Sequence, residues 1–277
     1  MNFEILHLTG SSGFIGQQVR QRLMSKKYKV YNYDFYSPSK EILNPMILQD
    51  VVLANKEKKQ VILHVGAIAS TSPTVVGDLK SKNIDYTKRI SKLAANMGIP
   101  FIFISSAAVY GQDMRITREE NPLNYYGESK IIGEQELLNC YNENISNLVI
   151  FRLFNVYGFD ERKKGSMMSI PSRFILDSLK HQRINIWQLN ASQIQSRDFV
   201  WVEDVVEILL QTLEIYPWKE TIVDLGSGYS IPFVQIADML GKIRSTSIDF
   251  VEFPSGINPS KYQVFTQADL TKMSNLG

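Results

Sequence analysis

Cysteine is almost missing from this sequence: one residue, Cys140, in 277. A lone thiol closes no disulfide within the chain and fits a reducing compartment. Cys140 falls in a predicted helix, where it reads as packing rather than as a nucleophile. Charge of one sign is also lacking, for the net charge is only +2. Bulk electrostatics therefore favour neither a nucleic acid nor a membrane surface as partner. No apolar run reaches the length of a membrane span, and the first residues lack the apolar core of a signal peptide. The expectation is a cytoplasmic chain with no metal site. Internal repeats and low-complexity tracts are absent as well. What remains is ordinary for a globular protein, 44% hydrophobic and 21% charged. The length suits one large α/β unit, or a nucleotide domain with a smaller substrate lobe.

The most informative stretch is Thr9-Gly10-Ser11-Ser12-Gly13-Phe14-Ile15-Gly16. It follows an apolar run, Phe3 to Leu8, that reads as a buried parallel strand. It opens into Gly16 to Lys26, where Ile15, Val19 and Leu23 share one helical face. Strand, glycine turn and helix form the context of a dinucleotide fingerprint. The first glycine allows the tight turn, the second a close approach to a pyrophosphate, the third close packing of helix on strand. The helix N-terminus offers N–H groups to phosphate. A second strand, Lys29 to Asp34, ends in an acid placed to accept hydrogen bonds from ribose hydroxyls, which favours NAD. Lys40 nearby would instead suit the 2′-phosphate of NADP, and the sequence leaves both open.

From Ser37 to Lys59 the pattern fades. Ile42 to Asn55 is compatible with one helix, and a third strand is either shortened or hidden in Met46 to Leu53. Gln60 to Ala67 is a buried strand whose small last residues, Gly66 and Ala67, let backbone lie against a cofactor. His64 within it reads as a core histidine. Ser70 and Thr71 follow at the strand's C-terminal end, where open α/β sheets bind ligands. Asn83 to Asn96 is helical. Pro100 to Ile104 is a strand leading to Ser106. A helix then carries Tyr126 and Lys130, four apart and so on one face. A cation beside a phenol stabilises phenolate and suits Tyr126 as a general base, with Ser106 bonding the same substrate hydroxyl. Alone, such a pair is usually a surface feature; the upstream glycines and Ser106 give it weight. After the strand Leu148 to Gly158 come Arg162, Lys163 and Lys164, cations that suit a diphosphate or are simply solvated. Pro171 to His181 and Phe233 to Leu240 are helical. Short strands are expected at Ile184 to Trp187, Thr221 to Leu225 and Ile248 to Phe253.

Taken together these motifs resemble the extended short-chain dehydrogenase/reductases, the nucleotide-sugar epimerases and dehydratases. Phe154-Asn155-Val156-Tyr157-Gly158, Lys164-Gly165-Ser166-Met167, Arg197-Asp198-Phe199-Val200 and the run Lys261 to Leu270 are similar, within that group, to the ADP-glyceromanno-heptose 6-epimerases. The resemblance implies a Rossmann-like doubly wound parallel sheet. Residues 1–165 would form the dinucleotide domain, with 198–228 returning to it and 166–277 mainly a substrate lobe. It also implies NAD or NADP held by Gly10, Gly13, Phe14, Ile15, Gly16, Asp34, Gly66, Ala67, Asn83, Tyr126 and Lys130. Tyr126 and Lys164 would be the two acid/base groups of a redox epimerisation, with Ser106 orienting the hydroxyl and Lys130 lowering the Tyr126 pKa. Lys163 and Arg162 would help Lys164 shed its proton. Ser70, Asn155, Ser166, Arg173, Arg197 and Tyr262 would contact a nucleotide sugar, Arg197 at the diphosphate. No Asp-apolar pair for the adenine is evident; Asp50-Val51 fits poorly. Ala107 and Ala108 stand where a dehydratase carries acids, which disfavours elimination. A 4-epimerase, a reductase and a non-catalytic dinucleotide-binding protein are the other readings. A homo-oligomer is expected.

Overall fold

A computed structural model describes residues 2–26, 28–36, 39–70, 76–188, 194–255 and 258–276, without the side chains of Lys163 and Ser166. Strand β1 (Ile5–Thr9) is buried along its whole length and turns at Gly10 into helix α1 (Phe14–Leu23). β2 (Lys29–Tyr33) follows, then β3 (Ile42–Leu43), α2 (Leu48–Ala54) and β4 (Gln60–His64). The short α3 (Val76–Asp78) continues through π-helical turns, Leu79–Asp85, into α4 (Tyr86–Asn96). β5 (Phe101–Ser106), α5 (Tyr125–Cys140) and β6 (Leu148–Leu153) complete the first half. Next come β7 (Asn155–Tyr157), α6 (Ile170–His181), β8 (Arg183–Gln188), β9 (Ser196–Trp201) and α7 (Val202–Glu214). The last elements are β10 (Ile222–Leu225), β11 (Ser230–Pro232), α8 (Phe233–Arg244), β12 (Ser247–Glu252) and α9 (Thr271–Asn275).

Seven strands form one parallel sheet in the order β10-β6-β5-β4-β1-β2-β3. The chain builds outward from β1 through β2 and β3, then returns to lay β4 on the other side of β1. This is the doubly wound plan expected from the sequence, and it opens a crevice where the winding reverses. Both sheet faces are covered, so the central strands are apolar throughout. On one face Leu6, Leu8, Leu63, Ile102 and Phe151 pack against Val19 of α1 and Leu209 of α7. On the other Ile62, Phe101, Phe103 and Ile150 pack against Ile90 of α4 and Leu137 of α5. Helix α5 is also pinned to β6 by a buried ion pair, Arg152 Nη2 to Glu134 Oε2 at 2.6 Å.

The faded segment resolves into a shortened third strand. β3 has two residues, and Met46 to Leu53, the other place for it, is helical. Asn44 caps that helical turn by accepting the Met46 N–H at 2.9 Å. Two small sheets stand beyond the large one: β11-β9-β7, and the parallel pair β12-β8. Phe174, Ile184, Phe199 and Phe233 fill the space between them and helices α6 and α8.

Two histidines are sealed in the large sheet. His7 meets the Tyr33 hydroxyl at 3.0 Å and Gln60 Oε1 at 2.8 Å. His64 meets Thr9 Oγ1 at 2.5 Å and Thr87 Oγ1 at 3.0 Å, the satisfied core histidine expected. Burial, partly offset by the Gln60 bond, pushes His7 down to about 4. Burial and then the Lys130 charge push His64 down to about 3. Both folded values lie below the ordinary 6.5, so the unfolded chain takes up these protons first. Stability is then full above pH ~6.5 and falls as pH drops from there toward ~4, by about 2.7 kcal/mol per unit once both unfolded histidines are charged. Urea unfolding between pH 7.5 and 4.5 reads this slope, and His7→Gln should remove about half of it. A flat profile would contradict the neutral buried rings.

Candidate functional site

Three glycines of the first turn are required for three different reasons. Gly10 has φ +69°, and a Cβ there would lie 2.4 Å from Gly66 Cα. A Cβ on Gly16 would lie 2.0 Å from the Gly10 carbonyl oxygen, so helix α1 packs on the turn with no room for a side chain. Gly13 is different: its Cβ would meet only the Gly10 oxygen, at 3.3 Å. Space there opens outward, and no side chain caps the helix at Gly13. Unspent N–H groups at a helix start are a phosphate cradle.

That cradle forms one wall of a cavity of about 650 Å³ at the C-terminal ends of β1, β4, β5 and β6. Gly10, Gly13, Phe14, Ile15, Gly16, Asp34, Gly66 and Ala67 all line it. Asp34 accepts the N–H of Ser12 at 3.1 Å and of Tyr36 at 2.9 Å. The carboxylate is thereby fixed beside the glycine turn, with lone pairs left for ribose hydroxyls. Beyond it Phe35, Tyr36, Pro45, Lys82 and Tyr86 line the cavity. Lys82 bonds the Tyr36 hydroxyl and Asp78 Oδ1, the latter at 2.8 Å. Sequence reasoning missed this aromatic end; the signal was the Phe35-Tyr36 pair directly after Asp34. Lys40 is exposed, and Asp50 and Val51 lie in α2; none of the three is among the residues lining the cavity.

Asn83, expected at the cofactor, makes a supporting contact. Its amide accepts the Ile68 N–H at 2.8 Å and donates to the Ile68 carbonyl at 3.0 Å. Both ends are spent on holding the loop after Gly66, and neither Asn83 nor Ser70 is among the described residues lining the cavity. Thr71 lies outside the described residues.

Ser106, Tyr126 and Lys130 converge on the same cavity. Ser106 ends β5 and its Oγ accepts the Ala108 N–H at 3.1 Å. Asn124 caps α5 through the Gly127 N–H at 3.0 Å, which sets Tyr126 in the first turn. Gly127, also unforeseen, lets this turn press on the loop after Ser106: a Cβ would lie 2.4 Å from the Ala108 oxygen. Lys130 is 3% exposed, donates to the Ile104 carbonyl at 2.7 Å, and stands 6.0 Å from the Tyr126 ring centroid. Burial brings it down to about 7, with Glu134 pulling it partly back up. Burial raises the Tyr126 phenol above its ordinary value, and Ser106 lowers it in part. The expected lowering of Tyr126 by Lys130 is therefore not found: both groups are buried and each is driven toward its neutral form.

Lys164 reaches this cavity from another part of the chain, the 3₁₀ segment Glu161–Met167. Its Nζ lies 2.6 Å from Glu161 Oε1 and 4.4 Å from the Phe14 ring centroid. The partner of Lys164 is thus an anion, while Arg162, expected as a neighbouring cation, is exposed. The side chains of Lys163 and Ser166 lie outside the described residues.

The remaining candidates gather elsewhere. Arg197 is 6% exposed, donates to the Ser196 carbonyl at 2.9 Å, and stands 5.4 Å from the Tyr262 ring and 5.5 Å from the Phe233 ring. Burial lowers its guanidinium, with Tyr262 and Asp113 opposing. Tyr262 contacts Trp187, which in turn lies 5.9 Å from Arg173. This ladder of two guanidiniums and two aromatics does not line the large cavity. Asn155, expected at the phosphates, donates to the Asp198 carbonyl at 2.9 Å and Thr266 Oγ1 at 3.3 Å, so it ties β7 to β9. Among the described residues, no group of His, Cys, Asp and Glu is arranged for a metal ion.

The glycine geometry separates two substitutions. Gly13→Val should leave the fold intact but abolish dinucleotide binding, since its side chain enters the cavity. Gly16→Ala should destabilise by about 1–3 kcal/mol or more through overpacking against backbone. Thermal unfolding and NAD titration check both; a Gly13→Val protein that still binds NAD would overturn the cradle.

The sequence pattern of the NAD dependent epimerase/dehydratase family matches residues 6–223. Among solved structures, the chain is similar to a UDP-N-acetylglucosamine 4-epimerase from Methanobrevibacter ruminantium, with TM-score 0.80 and 22% identity over 99% of this chain and 92% of that one. It is also similar to the Helicobacter pylori ADP-L-glycero-D-manno-heptose-6-epimerase, with TM-score 0.75 and 21% identity over 91% of this chain and 85% of that one. A third is an NAD dependent NDP-hexosamine 5,6-dehydratase, with TM-score 0.78 and 20% identity over 98% and 90%. With its pattern spanning the glycine turn, the Ser106, Tyr126 and Lys130 set and the strands that carry them, the chain belongs to the NAD dependent epimerase/dehydratase family.

Proposed function

We propose that the protein is a nucleotide-sugar epimerase that inverts C6 of an ADP-linked or other nucleotide-linked heptose. The observation that carries this is the convergence of two proton-handling groups, Tyr126 and Lys164, on one cavity from separate elements. An epimerase must serve a hydroxyl on either face of one carbon, and a single phenol reaches one face. The glycine turn and Asp34 hold the dinucleotide. Held there, the dinucleotide would supply reversible hydride acceptance at the sugar carbon. Tyr126 accepts the hydroxyl proton on one face, with Ser106 orienting that hydroxyl. Lys130, inside the cavity wall, lies on the same side as the phenol, its Nζ 6.0 Å from the ring centroid. Lys164 gives a proton to the oxygen on the other face. The buried Arg197, stacked on Tyr262, suits a diphosphate, and residues 166–277 serve mainly as the sugar-nucleotide lobe, 198–228 returning to the dinucleotide domain 1–165. The protein works in the cytoplasm as a homo-oligomer.

A 4-epimerase or reductase of the same family is the second reading, supported by the fold's likeness to a UDP-sugar 4-epimerase. Elimination is disfavoured by Ala107 and Ala108 after Ser106.

Tyr126→Phe keeps the ring but removes the proton carrier, so a loss of about 10²–10⁴-fold in kcat is expected. Lys164→Met keeps the stem's packing and moves no proton; kcat should fall while substrate Kd stays nearly unchanged. Steady-state kinetics with ADP-heptose and a binding titration of each variant separate the roles. Weakened binding with kcat retained would make Lys164 a phosphate contact and remove the support for C6 inversion. No turnover of any nucleotide sugar would favour a non-catalytic dinucleotide-binding protein.

A further inference from the structure

Glu161 is 2% exposed, and among the described residues its carboxylate meets only hydrogen-bond donors. Oε1 accepts Lys164 Nζ at 2.6 Å and the Ser169 N–H at 3.3 Å. Oε2 accepts the Ser169 hydroxyl at 2.6 Å and the Ser172 hydroxyl. Ser169 and Ser172 open helix α6, where Ser169 is the cap. The carboxylate is therefore clamped between α6 and the Lys164 segment. Burial pushes it up, but Lys164, Ser169 and Ser172 outweigh burial and hold it below the usual range, as an anion. Lys164 is gripped at a second point by the face of Phe14, the first residue of α1. A free lysine head has four rotatable bonds; this one has two fixed neighbours.

We infer that Glu161 is a positioning residue: with Phe14 it fixes Lys164 Nζ at the cavity wall, so that Lys164 enters turnover as the proton donor. The inference rests on reading Lys164 as the second acid/base group. In that step the proton passes from Nζ to the sugar oxygen as hydride returns to carbon. Nζ is left neutral beside an anionic Glu161 and is reprotonated from solvent. In the reverse direction the neutral amine takes the hydroxyl proton. The other titratable side chains lining this cavity are Asp34, Tyr36, His64, Lys82, Tyr86, Tyr126 and Lys130. Among the described residues, the hydrogen-bond partner of Lys164 Nζ is Glu161.

The test is competitive acetylation of Lys164 in the full chain with acetic anhydride, followed across pH by peptide mass spectrometry. Glu161→Gln keeps shape and an acceptor for the serines but removes the charge. Its Lys164 labelling midpoint should fall by about one pH unit or more. Below both midpoints that is about ten-fold faster labelling. Glu161→Asp, which keeps the charge, should restore the midpoint toward wild type. An unchanged midpoint in folded, NAD-binding Glu161→Gln would overturn the proposal. If that variant does not fold, Ser172→Ala decides: the carboxylate stays, so the midpoint should hold or rise, and a fall overturns the idea. Labelling needs no sugar, so a midpoint that shifts as expected in Glu161→Gln, with a wild-type protein that turns over no ADP-heptose, would defeat the epimerase reading alone.

Discussion

The arrangement depends on one steric contact, backbone against backbone at the first turn. Helix α1 packs so closely on the turn that the Gly16 Cα faces the Gly10 carbonyl, and Gly10 in turn touches Gly66 at the end of β4. Three segments thus meet with no side chain between them. The contact fixes α1 over the crevice between β1 and β4, so its free N–H groups face the cavity. Thr9 Oγ1 adds a polar tie at this junction, accepting the Gly66 N–H at 3.2 Å while bonding His64. A polar group so deep in the sheet needs such partners, and here they join the two strands that flank the crevice.

From that fixed corner the proton chemistry is decided by burial. Tyr126 and Lys130 are both enclosed, and enclosure disfavours phenolate and ammonium alike. A lysine near neutrality at about 7 and a phenol held above its usual range leave the pair short of charge. Family chemistry needs the opposite, a phenol ready to take a proton. Tyr126 and Lys130 line the same cavity as the glycine turn, so an oxidised dinucleotide held there would add positive charge to a low-dielectric site and favour the phenolate. Lys164 differs because its countercharge, Glu161, is part of the protein.

How much was legible in the sequence follows from how local each signal is. Gly10, Gly13 and Gly16 fall within one turn, and Tyr126 and Lys130 on one helix face, so their spacing, read with the flanking strand and helix and with Ser106, made them legible. The β3 strand was hidden because two residues leave no periodicity to read. Asn83 was placed at the cofactor by the family resemblance; only the fold shows its amide bonded at both ends to Ile68. The cluster Arg162 to Lys164 looked cationic in sequence, yet the adjacent Glu161 turns inward and pairs Lys164, a distinction that charge patterning cannot draw. The aromatic end formed by Phe35, Tyr36 and Tyr86 combines residues roughly fifty positions apart, beyond any window of periodicity.

The most distinctive run in the sequence, Lys261 to Leu270, carries less chemistry than its specificity suggests. Gln263 donates to the Ala107 and Gly111 carbonyls at 3.1 and 3.2 Å, just beyond Ser106. Thr266 Oγ1 receives Asn155 and the Asp198 N–H, and the Ala268 N–H donates to Asp198 Oδ2 at 2.9 Å. Asp198 is itself fully buried and also takes the N–H groups of Ser227 and Gly228. A buried carboxylate has to be satisfied by donors, and backbone N–H groups supply them only if two loops stop at fixed positions. The Arg-Asp-Phe motif and the Thr-Gln-Ala-Asp motif therefore meet in one knot, which explains why both are so particular. In consequence the strap connects the loop after Ser106 to β9, the strand that carries Arg197. Residues that would hold the sugar's phosphates are thus registered against residues that would act on its carbon, by hydrogen bonds that touch neither.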